Sequence, residues 1–186
     1  MAASSDLVTL PDYLREGLDI VSIGINPSVN SARAGFYFAT PQNRFWRALT
    51  ASGLVPELAP GRESVERRFN AYRIGFMDVA KRPSAGASRL TAPDFRPGAP
   101  ELRERLLKHG PRVASFHGKE SYGNYLCSAV GRRDGPIAWG RQEPPIGESV
   151  VFVTPNPSPA NAAFSLSALA DWYRQPARLR DLLKSV

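Results

Sequence analysis

The sequence predicts an α/β protein, a three-layer α/β/α sandwich built around a central, mostly parallel four-stranded sheet. Two observations carry that prediction. Four short runs of apolar, β-prone residues alternate along the chain with longer stretches of helical period. The runs are also nearly continuous in their apolar character, as expected of strands covered by helices on both faces. A third observation bounds the architecture: 186 residues suffice for one sizeable core, so residues 1–186 are read as a single domain, with 1–10 expected to be flexible.

In chain order, Ile20 to Ile25 (IVSIGI) is the first strand, and Asn43 to Ser52 and Ser64 to Tyr72 follow with helical spacing. Ile74 to Val79 (IGFMDV) is the second strand. The segment from Lys81 to Pro100 (KRPSAGASRLTAPDFRPGAP) has no apolar period and reads as a long functional loop or a disordered one, although Leu90 and Phe95 give it something to bury. Pro100 to His109 is a helix, Arg112 to Phe116 (RVASF) the third strand, Lys119 to Val130 a helix, and Ser149 to Val153 (SVVFV) the fourth strand. A last helix runs from Ser165 to Leu183, with Pro176 expected to kink or split it.

Composition narrows the partners. Apolar residues make up 42% and charged residues 22%, which is ordinary globular usage. Lysine and arginine number 24 against 17 acids, a net charge of +7 that suits a polyanion such as nucleic acid without identifying it. One cysteine, Cys127, and two histidines, His109 and His117, argue against a disulfide framework and against a bound metal. The N-terminal stretch lacks the pattern of a secretory signal, and no run approaches the roughly 18 apolar residues of a membrane span. A cytoplasmic protein without membrane contact is the expectation.

In a parallel sheet, ligands bind beyond the carboxyl ends of the strands. The first strand runs into Asn26-Pro27-Ser28 and the last into Asn156-Pro157-Ser158, so the same tripeptide recurs at two strand ends. Asn-Pro and Pro-Ser are common turn formers, and one copy alone would mean little. Two copies face each other across a cleft if both strands are central and parallel. After the first lies a dense stretch, Gly24 to Trp46 (GINPSVNSARAGFYFATPQNRFW), with small residues that expose backbone amides followed by Phe36, Tyr37 and Phe38. Such a segment can hold a flat heterocycle, stacked on an aromatic face at roughly 1–3 kcal/mol.

The GINPS turn, the GFYFATPQNRFW pattern from Gly35 to Trp46 and the C-terminal NPS together resemble the mismatch-specific uracil-DNA glycosylase and thymine-DNA glycosylase family of the uracil-DNA glycosylase superfamily. The resemblance spans nearly the whole chain, with weaker matches in order at Asp78 to Pro83 (DVAKRP), His117 to Tyr122 (HGKESY) and Trp139 to Gln142 (WGRQ). It implies a monofunctional base-excision glycosylase that uses no cofactor and flips uracil, and related damaged bases, out of DNA. It further implies a monomer bound to DNA in a bacterial-type cytoplasm. Asn26 matches the asparagine that positions the attacking water, and an amide can orient water but cannot take up its proton. Phe38 matches the aromatic on which the base stacks, backbone amides around Ile25 and Phe38 match the readers of its polar edge, and Ser31 matches a small residue beside the thymine methyl.

By the same resemblance, Asn156, Pro157, Ser158, Pro159, Ala160 and Asn161 form the loop that enters the minor groove. Here the chain departs from the family: Pro159-Ala160-Asn161-Ala162-Ala163 stands where bacterial members carry glycine, a bulky wedge and an arginine. Relaxed dependence on the opposite base is therefore expected. Related branches place an aspartate at Asn26, so an acid elsewhere could assist; Asp94 in the long loop is the first candidate and Asp78 the second, with a solvated or helix-capping role competing for Asp94. Arg33, Lys81, Arg82, Arg89 and Arg96 are candidate phosphate contacts. Phe45 and Trp46 read as core, and Arg44 as a phosphate contact, a cap or a solvated charge. A glycosylase tuned to ethenocytosine, hypoxanthine or xanthine, or a catalytically weak damage-binding protein, are the alternatives.

Overall fold

A computed structural model describes residues 8–56, 59–132 and 135–185. The expectation of a flexible start lies outside these residues for 1–7, whereas Leu10 is already part of the core.

The sheet has five strands in the order β2-β1-β3-β5-β4: β1 (Ile20–Gly24), β2 (Ile74–Asp78), β3 (Val113–His117), β4 (Gly140–Ile146) and β5 (Ser149–Thr154). The β1–β2, β1–β3 and β3–β5 pairs are parallel, as expected from their continuous apolar runs. The fifth strand corrects the expected count of four. It pairs antiparallel with β5 at the sheet edge, and its sequence, GRQEPPI, is mostly exposed. Pro144 and Pro145 cannot donate to a ladder and are tolerated only on an edge, where the register shifts between Gln142 and Ile146.

Helices cover both faces. On one, Val21 and Ile23 pack with Phe95, Ala99, Leu102 and Leu106 of α4 (Ala92–His109) and with Tyr122 and Tyr125 of α5 (Lys119–Tyr125). On the other, Ile74 and Phe76 pack with α2 (Phe45–Ala51), α3 (Arg62–Ala71) and α6 (Leu166–Lys184). The result is the three-layer sandwich that the alternating pattern predicted. Among the described residues, no helix is long and apolar enough to cross a membrane.

Three local expectations fail. Much of the long loop is helical: α4 begins at Ala92 rather than Pro100, and includes Pro97 and Pro100 in its interior. Those prolines hide the helix from a propensity reading, while small residues make it possible, since a Cβ on Gly98 would stand 2.4 Å from the Val79 carbonyl oxygen. The expected helix from Lys119 to Val130 is an α-helix only to Tyr125 and finishes as a π turn over Leu126–Val130. Pro176 does not split α6, which runs unbroken from Leu166 to Lys184 with Pro176 buried. A short helix, α1 (Val29–Ala34), was not anticipated; Ser28 caps it by accepting from the Ser31 amide.

Candidate active site

The loops leaving β1, β2, β3 and β5 surround one cleft of about 760 Å³. Both NPS turns reach it, through Asn26 to Ser28 on one side and Asn156 and Ser158 on the other, while Pro157 is buried behind the wall. Of the base-pocket candidates, Ile25, Ser31 and Phe38 line this space, and so do Pro159, Ala160 and Asn161.

Asn26 follows β1 on a loop stitched to the one after β2: Ser84 N donates to Pro27 O at 3.1 Å and Val29 N to Ser84 O at 3.1 Å. Its Nδ2 donates to Pro27 O (3.0 Å), Arg82 O (2.9 Å) and Ser84 Oγ (2.8 Å). Two of those partners are carbonyls that can only accept, which fixes the amide orientation. The nitrogen is saturated, and among the described residues no donor meets Oδ1 of this cleft-lining residue.

Phe38 has φ 56°, a strained region for an aromatic residue. Hydrogen bonds hold it on both sides: Ala39 N donates to Ser31 Oγ (3.0 Å) and Trp46 Nε1 donates to Phe38 O (3.2 Å). Its ring lies flat on buried Phe45, with centroids 3.9 Å apart. One face is thus supported, and the half-buried remainder borders the cleft. Ser31 is 3% exposed and also accepts from Ser28 Oγ at 2.9 Å, so it braces the aromatic loop as well as lining the pocket. Phe45 and Trp46 are core residues, as expected.

The two candidate acids occupy different worlds. Asp94 does not line the cleft; it sits in the first turn of α4, where its Oδ2 accepts from Thr91 N (2.7 Å) and from Thr91 Oγ1 (3.0 Å). A salt bridge to Arg82 at 2.5 Å completes its surroundings, and the Arg82 hydrogen bond holds its carboxyl far below the usual range. The first-choice acid is therefore a helix cap. Asp78 ends β2 beside Gly24 of β1 and lines the cleft with Asn26. It is 3% exposed, its Oδ2 has no hydrogen-bond partner among the described residues, and burial raises its pKa to about 7 despite Lys81 nearby. Gly24 makes its placement possible: a Cβ there would stand 2.3 Å from Asp78 Oδ1. The pairing of a glycine with an acid at neighbouring strand ends was the available signal.

His117, at the end of β3, also lines the cleft and is buried among aromatic rings. Burial lowers its pKa to about 3, so the imidazole is neutral.

The loop after β5 is tightly tied. Asn156 Oδ1 accepts from Ser158 N (2.9 Å), Asn161 Nδ2 donates to Asn156 O (2.9 Å), and Ala160 N donates to Ser158 Oγ (3.3 Å). Arg44, at the start of α2, reaches across: its guanidinium donates to the carbonyls of Pro157 (3.4 Å), Ser158 (2.9 Å), Asn161 (2.7 Å) and Phe164. Arg44 is thus a loop clamp, a role its sequence position did not reveal. The exposed tip is Pro159-Ala160, with no large side chain. Of the candidate phosphate contacts, Lys81 is paired with Asp12 at 2.6 Å and Arg82 with Asp94, whereas Arg33, Arg89 and Arg96 are exposed. At the rim, Lys119 lies 4.6 Å over the Trp139 ring.

The family model of the uracil DNA glycosylase superfamily matches residues 11–181. The chain belongs to that superfamily. The superfamily match embraces the cleft-lining residues from Gly24 to Asn161 and leaves only Leu10 outside it. Among solved structures, the chain resembles the solution NMR structure of a Methanosarcina acetivorans protein provisionally named a uracil DNA glycosylase. The two are 24% identical over 93% of this chain and 98% of that one, with a TM-score of 0.59, a likeness of fold. Superfamily membership supports a DNA glycosylase role for the chain.

Proposed function

We propose that this protein is a monofunctional glycosylase of the mismatch-specific uracil and thymine-DNA glycosylase kind, removing uracil and related damaged bases flipped out of DNA. The observation that carries this reading is the pairing of Asn26 and Asp78 in one cleft beside the supported ring of Phe38. The extruded base stacks on Phe38. The glycosidic bond breaks with its electron pair passing to the base nitrogen, and water oxygen bonds to the anomeric carbon. Asn26 Oδ1 accepts one water hydrogen and orients the lone pair. The carboxylate of Asp78 supports the cationic sugar and accepts the proton released, which an amide cannot do. A carboxyl with a pKa of about 7 can serve that purpose near neutral pH. Asp94, tied into its cap, takes no part.

The tied loop from Asn156 to Asn161 enters the minor groove as a blunt plug, because its tip offers only Pro159 and Ala160. Opposite-base dependence is accordingly relaxed. The protein works as a monomer on DNA, with Arg33, Arg89 and Arg96 available for phosphates.

The test is a panel of labelled duplex and single-stranded oligonucleotides carrying uracil, thymine, ethenocytosine or hypoxanthine, cleaved with alkali after incubation. Abasic product from uracil is expected, and single-turnover excision by Asn26→Ala should fall about a hundredfold or more. Absence of product from every base would overturn the reading; full activity in Asn26→Ala would remove the proposed water site.

A further inference from the structure

We propose that His117 selects the extruded base, presenting a fixed Nε2–H donor to a keto oxygen on its edge, and that buried Tyr173 sets the tautomer that makes it a donor. This deepens the glycosylase reading above and rests on it.

The argument starts from hydrogen-bond satisfaction. His117 Nδ1 lies 3.1 Å from Thr154 Oγ1 and 3.2 Å from the Tyr173 hydroxyl, while Nε2 is buried with no hydrogen-bond partner among the described residues. Tyr173 is 2% exposed, and among the described residues its hydroxyl has no other hydrogen-bond partner. Burial pushes that phenol well above its ordinary pKa, so it keeps its proton and must donate it to His117 Nδ1. Thr154 can send its own hydroxyl proton to Phe116 O at 3.4 Å. Nδ1 is therefore the acceptor. A neutral imidazole carries one proton, which then resides on Nε2.

Direction follows from ring geometry. Tyr173 and Thr154 hold the Nδ1 side, and Nε2 lies across the ring from it. The ring meets both Phe38 and Phe45 edge-on, with centroids 5.5 and 5.4 Å away, so His117 spans the edge of the stack on which the base is proposed to rest. His117 is one of the residues that line the cleft. An unpartnered donor buried at that edge carries a desolvation penalty until an acceptor arrives. A keto oxygen, such as deamination of an amino base creates, supplies one; an exocyclic amine meets donor with donor. Discrimination of this kind is strong because the wrong group leaves a buried polar atom unpaired. The sequence marked His117 within HGKESY without giving it this part.

The chain has two histidines, so ring nitrogen signals of the wild-type protein can be assigned with a His109→Gln variant. Long-range proton–nitrogen spectra should show the Nε2–H form of His117, and saturating free uracil should shift that signal, whereas 2-aminopyrimidine, which lacks a carbonyl, should not. Single-turnover excision of uracil should fall about tenfold in His117→Leu, recover largely in His117→Gln, which keeps an N–H, and fall similarly in Tyr173→Phe, which removes one hydroxyl and frees the tautomer. An Nδ1–H tautomer in the wild type, an unshifted Nε2 signal under uracil, or full activity in Tyr173→Phe and His117→Leu would overturn the inference while wild-type excision persists. Loss of uracil excision by the wild type itself would instead overturn the glycosylase reading, and this one with it.

Discussion

Replacing Asp78 by asparagine keeps the shape of the side chain and removes its ability to ionise, so stability and activity should move in opposite directions. Asp78 binds its proton more tightly folded than unfolded, with a pKa near 7 against the ordinary 3.8. Its contribution to stability is fully present below the unfolded value and is lost as pH rises through 7, because the carboxylate must then be carried in a buried site. At about 1.4 kcal/mol per tenfold change in proton affinity, the rise from 3.8 to about 7 caps the effect on the order of 4 kcal/mol. Asparagine carries no such penalty. Thermal unfolding of Asp78→Asn should therefore match the wild type near pH 3, below the unfolded value, and exceed it by several degrees at pH 8, given about 2–4 °C per kcal/mol for a chain of this size. Uracil excision should fall about a hundredfold or more. The wild-type rate should rise with pH to a plateau, with its midpoint near 7, and that rise should vanish in the variant. Equal stabilisation at both pH values would refute the buried-carboxyl argument, and an unchanged pH–rate profile would remove Asp78 from the chemistry.

Other consequences are separable. Asp94→Ala should retain excision within about twofold of wild type while losing about 1 kcal/mol of stability in urea denaturation, the cost of a helix cap; a collapse of activity would return Asp94 to the mechanism. Arg44→Lys should fail to restore what Arg44→Ala loses, because only the planar fork serves several carbonyls at once, and hydrogen exchange should show the loop from Asn156 to Phe164 opening in both variants. Gly24→Ala should impair excision by forcing Asp78 aside, a collision read as weaker activity with a shifted pH midpoint; an unchanged midpoint would count against that packing argument. Excision rates for uracil opposite guanine, opposite adenine and in single strands should lie close together, and a strict guanine preference would contradict the blunt Pro159-Ala160 tip.

The parallel sheet was legible because each of its strands is nearly continuous in apolar character, a pattern expected of two-sided burial. The edge strand β4 was not, because an edge asks little of its residues and GRQEPPI satisfies it without apolar content. The first helical turns of α4 were hidden for a different reason. Pro97 and Pro100 argue against a helix locally, and what decides the matter is a contact distant in sequence, the approach of Gly98 to the Val79 carbonyl. The same division runs through the site. Asn26 and Phe38 stood out because turn and aromatic motifs are contiguous in the chain. Asp78 stood out only as a second choice, and His117 and Arg44 did not, because each is defined by a partner on another element: Gly24 beside Asp78, Tyr173 behind His117, four loop carbonyls around Arg44. The long segment after β2 shows how far this can mislead. It does contribute to the cleft, through Arg82 O and Ser84 Oγ holding Asn26, yet the acid it carries is taken up by Thr91 and Arg82. An aspartate three residues after a threonine at the head of a helix is a capping box before it is a catalyst, and the acid proposed to act, Asp78, stands at a strand end that borders the cleft.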